Sequence, residues 1–435
     1  MRLSQALKKL SGFTLAPVVA SVAPLFAIPV ISSHFGAEGW TSVAVGQSIG
    51  TAFAVAIDGG WSLIGPPRVA RGSADERSAI YRQSLLVRLW LMVGAAPLIA
   101  LSTLVAAPGY TGAAITSAFA ASMIGLSANW FFVGASQPAK LLLFDAAPKI
   151  LLVLVGIFLL LVGLPLIYFS LAVFVGGLGA AAVSYSVVRP TTSTNQRYDS
   201  LKATLAHLRE NKHALATRVY SAMYVSAPLP IVATLLPLAE SATFAGADRI
   251  QKYALLALMP ITQLFQGWVP RAVDGTNILR RFKTALAVHV AISLTSIIGL
   301  VLATPLFEVL LFRDTLALST TASLASGFVI LAVVVSRATS SLLLVQARMT
   351  AVTANSTLIG AACGICALVG VCLLQGSAVT ALWIVAASEI LVTTWQLISL
   401  PRAGREIREL FPEPSSVSAR PASKQCRNTD SRSAQ

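Results

Sequence analysis

The sequence predicts an all-α polytopic membrane protein, on three observations. Of the 435 residues, 56% are hydrophobic and only 11% are charged, against about 25% charged in a soluble domain. Mean hydropathy is +0.76. Apolar runs close to the ~20 residues needed to cross a bilayer recur along the whole length. A net charge of +15 would suggest nucleic acid as the partner of a soluble chain. Here the basic residues fall between the apolar runs, as the positive-inside rule requires, so no nucleic-acid partner is implied. Four cysteines, three of them in apolar sequence, provide no disulfide framework.

The first element starts with a basic segment, MRLSQALKKL, and runs apolar to Ile31. It begins like a signal peptide, but the apolar run is too long, so an uncleaved first span is expected. Pro17, Pro24 and Pro29 each remove a backbone donor and should bend it. Further apolar windows follow at 41–65, 85–107, 112–134, 147–163, 165–188, 215–238, 243–268, 284–303, 319–345, 350–373 and 379–400. Each is long enough to span, with 147–163 at the short limit. About twelve transmembrane helices result, with both termini on one side.

Placing the amino terminus in the cytoplasm puts 28 of the 32 lysines and arginines there, Arg88, Lys140 and Lys149 among them, and this sets the expected orientation. Connections on the other side are short, SSHFGAEGW after Ile31 being one. The longest cytoplasmic connection separates six spans from six. The expected divisions are a six-helix lobe over 1–188, a linker over 189–214, a second six-helix lobe over 215–400 and a basic tail over 401–435. The tail's Ser, Arg and Pro content reads as disordered. A shift of about 203 residues superposes Pro67-Arg68 on Pro270-Arg271 in the same orientation. That is the signature of a parallel repeat, two bundles facing a central cavity.

The stretch 239–271 combines an apolar span with a polar face. Asp248, Arg249, Lys252, Gln263 and Gln266 fall in a stripe roughly 100° wide on a helix. A charge at bilayer depth costs about 2.5–3.5 kcal/mol, so the stripe should face a bundle interior or a watery cavity. Asp248, Arg249 and Lys252 either handle substrate or coupling ion, or form a structural ion cluster at the outer mouth. In window 41–65, Gln47, Thr51 and Asp58 make a second stripe. Arg337, among Ser336, Thr339, Ser340 and Ser341, either meets a phosphate or snorkels to the interface. Asp58 and Glu389 are candidate proton or sodium sites, with ion pairing or helix packing as the competing reading. His289, alone in an apolar helix, reads as a packed residue.

Other motifs exclude function classes. Cys363-x-x-Cys366 lacks a second ligand pair, so no metal is expected. Gly176-Gly177-x-Gly179 has no following lysine and reads as close helix packing. There is no nucleotide-binding motif and no Ser-His-Asp or paired-carboxylate arrangement. Neither a cofactor nor an enzymatic activity is expected.

Three pieces carry a resemblance. One span holds Ala247-Asp248-Arg249, Pro260-Ile261-Thr262-Gln263 and Pro270-Arg271; the second span closes on Pro66-Pro67-Arg68-Val69-Ala70; the fourth closes on Asn129-Trp130-Phe131-Phe132-Val133-Gly134. In this order they resemble the polysaccharide (O-antigen or exopolysaccharide repeat-unit) flippases of the multidrug/oligosaccharidyl-lipid/polysaccharide exporter (MOP) superfamily. Two departures stand out: Ile31-Ser32-Ser33-His34 replaces an arginine carried by many members, and Val133 replaces a glutamine.

The resemblance implies two six-helix lobes around a central cavity and a substrate of undecaprenyl-diphosphate-linked oligosaccharide. Alternating access would carry it across the bacterial cytoplasmic membrane for cell-surface polysaccharide synthesis. The headgroup cavity would draw on Gln47, Asp248, Arg249, Lys252, Gln263, Gln266 and Arg337. Protons or sodium ions would be the coupling ions, at Asp58 or Glu389, and polysaccharide polymerase machinery is a candidate partner. The alternatives are a cation-coupled multidrug exporter of the same superfamily and a polytopic polymerase or ligase. Short outer loops weigh against the last.

Overall fold

The computed structural model describes residues 23–188, 222, 224–272, 274–312 and 318–412. The amino-terminal basic segment, the 189–214 linker and the tail beyond 412 lie outside them. Among the described residues every regular element is helical. In chain order it forms α1 (Ala27–Asp58), α2 (Trp61–Arg71), α3 (Ala74–Ala106), α4 (Thr111–Ser122), α5 (Asn129–Gly134), α6 (Ala147–Leu161) and α7 (Ile167–Val188). After the linker come α8 (Pro228–Leu235), α9 (Leu238–Trp268), α10 (Gly275–Phe307), α11 (Thr320–Thr339), α12 (Thr350–Leu373), α13 (Ala378–Ile398) and α14 (Leu400–Leu410).

Nine helical segments among the described residues are long and apolar enough to cross a membrane, where the sequence predicts about twelve. The α9 helix explains part of the difference. Its 31 residues reach about 46 Å at 1.5 Å per residue, yet Glu240, Asp248, Arg249 and Lys252 lower its hydropathy. The first window and the one over 215–238 run into residues outside the description.

Two boundaries differ from the sequence reading. SSHFGAEGW is not an open loop: the chain is helical on both sides of Gly36, which alone breaks it at φ 62°, ψ −164°. Glycine takes that region without the Cβ clash other residues meet. The fifth span is not short either, for it starts at Pro138 and runs to Leu161 through a π-helical turn, Leu141–Ala146. Asp145 hid those residues from the hydropathy reading, and the structure accommodates it by hydrogen bonding.

The internal repeat is visible in matching helix lengths, caps and turns. The α3 and α10 helices are each 33 residues long and start 201 residues apart, at 74 and 275. Both are capped by side chains: Ser73 accepts from the Glu76 N–H and Asp274 from the Asn277 N–H. That bond, the larger of the influences on it, holds the Asp274 carboxyl below the usual carboxylate range. The turn closing α6, with N–H groups of 162, 163 and 164 bonded to carbonyls of 158, 160 and 159, recurs 212 residues later at 374, 375 and 376. The turn after α5 recurs at the same shift, with Ser136 and Arg348 both at φ 56°. Of the eleven residues by which the shift grows, eight come from the connection between α10 and α11, which is that much longer than the one between α3 and α4.

Close approach of α1 to α4 depends on Gly46 and Gly50, four residues apart on one face. A Cβ at either would collide with the carbonyl oxygen of Ala114 or Ala118. Gly125 repeats the contact lower down, where a Cβ would lie 2.6 Å from the Ala54 oxygen. Gly50→Leu is therefore expected to destabilise the fold by about 3 kcal/mol, seen as loss of monodisperse protein in detergent; wild-type elution and melting would exclude this packing.

Candidate functional site

The α9 helix places its charges between two cavities. Its Lys252 Nζ lies 2.7 Å from Asp248 Oδ2, one turn back. Arg249 points across to α1, donates to the Gln47 side-chain oxygen and stacks over Trp40 and Tyr253, 5.5 and 5.9 Å from their ring centroids. Trp40 in turn meets Phe312 edge-on at 5.9 Å. Gln47 and Arg249 are 202 residues apart, close to the repeat shift. Nearly equivalent positions of the two halves thus meet at their junction.

The larger cavity, about 530 Å³, lies between the amino-terminal helices and α9. Its polar lining includes Gln47, Asn129, Asp145, Lys149, Arg249 and Lys252. Three cations face one carboxylate there. The smaller cavity, about 300 Å³, lies among α8, α9, α11, α12 and α13 and is lined by Asp248, Gln251, Lys252, Arg337, Glu389 and Gln396, among others. Lys252 borders both, and Ser336, Gln396 and Ser356 form a hydrogen-bonded chain at 3.0 and 3.2 Å beside Arg337.

The stripe predicted along α9 is thus divided. Arg249 serves the larger cavity, Asp248 the smaller and Lys252 both, whereas Gln263 and Gln266 are exposed and line neither. Asp58 lines neither as well: its carboxylate accepts from the Ser62 N–H and from the Ser62 hydroxyl at 2.7 Å, joining α1 to α2. The Trp-Phe-Phe-Val-Gly and Pro-Pro-Arg pieces pack on each other, Gly134 lying against Pro66 and Trp130 against Trp61 at 5.6 Å. They build core. His289 is buried, with its ring nitrogens 2.7 Å from the Ala285 carbonyl and 3.1 Å from the Thr262 hydroxyl.

No family model matches the sequence, and no curated protein does. Solved transporter structures do resemble it in shape. A lipid II flippase in an inward-closed conformation superposes with a TM-score of 0.57 at 14% identity, over 91% of this chain and 89% of that one. An inward-facing multidrug resistance MATE transporter of the MOP superfamily gives 0.59 at 14% identity, over 91% and 95%. A eukaryotic MATE transporter gives 0.53 at 13%, over 93% and 99%. The chain shares the fold of these solved proteins.

Within this fold, Asp145 and Lys149 are the charged cavity residues that sequence reading does not single out. Four apart at the head of an apolar run, they carry the spacing of a helical ion pair, but the count of basic residues places Lys149 with the cytoplasmic charges. It lies instead on α6 in the cavity wall. Arg88, counted with those charges as well, is fully buried in α3.

Proposed function

We propose that this chain is a flippase for undecaprenyl-diphosphate-linked oligosaccharide in the bacterial cytoplasmic membrane, with both termini in the cytoplasm. The larger cavity carries this reading. A membrane-embedded chamber lined by Lys149, Arg249 and Lys252 stays net positive even after Asp145 and Asp248 pair with the two lysines, which suits an anionic headgroup and repels an organic cation. The diphosphate exchanges hydration for Arg249 and Lys252, while the polyprenyl tail stays in lipid between two rocking lobes, 1–188 and 215–400. In the expected orientation the Trp40–Phe312 and Gln47–Arg249 contacts close the outer side, and the cavity lies on their cytoplasmic side.

Glu389 in the smaller cavity is the favoured proton or sodium site, and polysaccharide polymerase machinery takes up the product. The multidrug-exporter reading draws support from the two carboxylates of the smaller cavity, Asp248 and Glu389.

The test is the leaflet location of lipid-linked glycan in a strain lacking the protein, probed with a membrane-impermeant sugar-modifying reagent. Accumulation on the protected side is expected. Accumulation on the accessible side would indicate a polymerase or ligase, and none at all a drug exporter. Adding an uncoupler to the complemented strain tests coupling: unchanged export would remove protons as the driving ion.

A further inference from the structure

The Asp145–Lys149 pair sits where the chain is broken and braced from several directions. Between α4 and α5 the helix gives way to a 3-10 turn, Met123–Leu126, and then to Ser127 with ψ 141°. Breaking a helix leaves carbonyls and N–H groups without intrahelical partners. Arg88 takes the carbonyls of Gly125 and Ser127, at 3.2 and 2.9 Å. Asp145, 6% exposed, takes the other side: it accepts from the Ala128 N–H at 3.2 Å and from the Ser127 hydroxyl at 2.9 and 3.0 Å. Its remaining bond is from Lys149 Nζ, at 2.9 Å.

The donors from Ser127 and Ala128 already fix the carboxylate and spread part of its charge. Lys149 adds one bond to that set and keeps two of its three ammonium donors for other partners. Its side chain is 24% exposed, against 8% for Asp145, and it faces the same cavity as Arg249, Lys252 and Asn129.

We infer that Lys149 is a phosphate ligand of the larger cavity, aimed by Asp145, so that a diphosphate is held from both halves of the repeat at once. Arg249 and Lys252 contribute from the carboxyl-terminal half and Lys149 from the amino-terminal half. A ligand gripped by both halves couples its own position to their relative movement, which a site built on α9 alone would not do. This rests on the flippase reading.

The test uses purified full-length protein in detergent and farnesyl diphosphate as a short polyprenyl diphosphate, with farnesol as control. Wild-type protein should bind the diphosphate and not the alcohol. Lys149→Gln should weaken that binding about tenfold, the loss of one charge-assisted contact, and Lys149→Arg should restore most of it. Asp145→Asn, which leaves the ammonium in place but takes away the carboxylate that aims it, should weaken binding by less than Lys149→Gln does.

Equal losses in Lys149→Gln and Asp145→Asn, accompanied by a lower melting temperature, would mark the pair as a structural staple and overturn the inference. Wild-type binding retained in Lys149→Gln would overturn it too, leaving the flippase reading standing. Failure of the wild-type protein to prefer the diphosphate over farnesol would overturn both.

Discussion

Arg249→Ala is expected to lower export of lipid-linked glycan at least about tenfold while the protein still folds and inserts. The guanidinium has two jobs that alanine cannot do. It supplies a cation to the larger cavity, and a hydrogen bond to a charged group is worth about 1.5–3 kcal/mol, or roughly ten- to a hundredfold in affinity. It also bridges the halves through Gln47 and the Trp40 ring. Folding should survive, because Asp248 keeps its partner Lys252 and the residue is only half-buried. Arg249→Lys should retain less than half the export, since an ammonium lacks the planar fork that stacks and donates together. Surface polymer, normalised to protein in the membrane fraction, is the readout. Wild-type polymer in Arg249→Ala would remove this residue from the site.

The largest stability effect is expected at Arg88. Its side chain is fully buried and its partners are the carbonyls of Ser84, Gly125 and Ser127 and the Ser84 hydroxyl. It also lies 6.0 and 5.7 Å from the ring centroids of Tyr81 and Trp130. Arg88→Ala strands those carbonyls and leaves a hole between two aromatic rings. Buried groups left unpaired cost about 1–3 kcal/mol each, so a loss of about 3–5 kcal/mol is expected, enough to abolish accumulation of folded protein. Arg88→Lys should rescue little, because one ammonium cannot span carbonyls that a guanidinium reaches as a fork. Thermal melting in detergent decides it: a melting temperature near wild type in Arg88→Ala would show that water or a rearranged backbone satisfies the turn.

Arg88 and Lys149, counted with the cytoplasmic charges, show why hydropathy reading stops where it does. A positive charge near the end of an apolar window looks the same in sequence whether it stays exposed, as Arg280 and Lys283 do near the start of α10, or is drawn inward, as Arg88 and Lys149 are. The difference lies in partners far along the chain. Gly125 and Ser127 are 37 and 39 residues from Arg88, and no periodicity of the α3 sequence encodes them. Along α9 the helical period places Asp248, Arg249 and Lys252 close together, as they are in the structure. It could not tell that Gln263 and Gln266, on the same stripe, lie past the end of both cavities. Asp58 belonged to a real stripe with Gln47, yet the turn at Gly59 and Gly60 brought Ser62 back to hold it.

Transfer from water to lipid is a property of each segment by itself, so the sequence alone determined a polytopic helical membrane protein, the identity of most spans and the need for α9 to keep its charges out of lipid. The Pro-Arg repeat also belonged to the sequence, because two similar segments fold similarly wherever they stand. Only the tertiary structure decided that Arg249 meets Gln47, that Asp145 and Lys149 join the cavity, and that Lys252 borders two chambers rather than one. Those outcomes depend on which backbones can approach, set by small residues such as Gly46 and Gly50, and on polar groups finding partners through space. Neither is a local property of the chain.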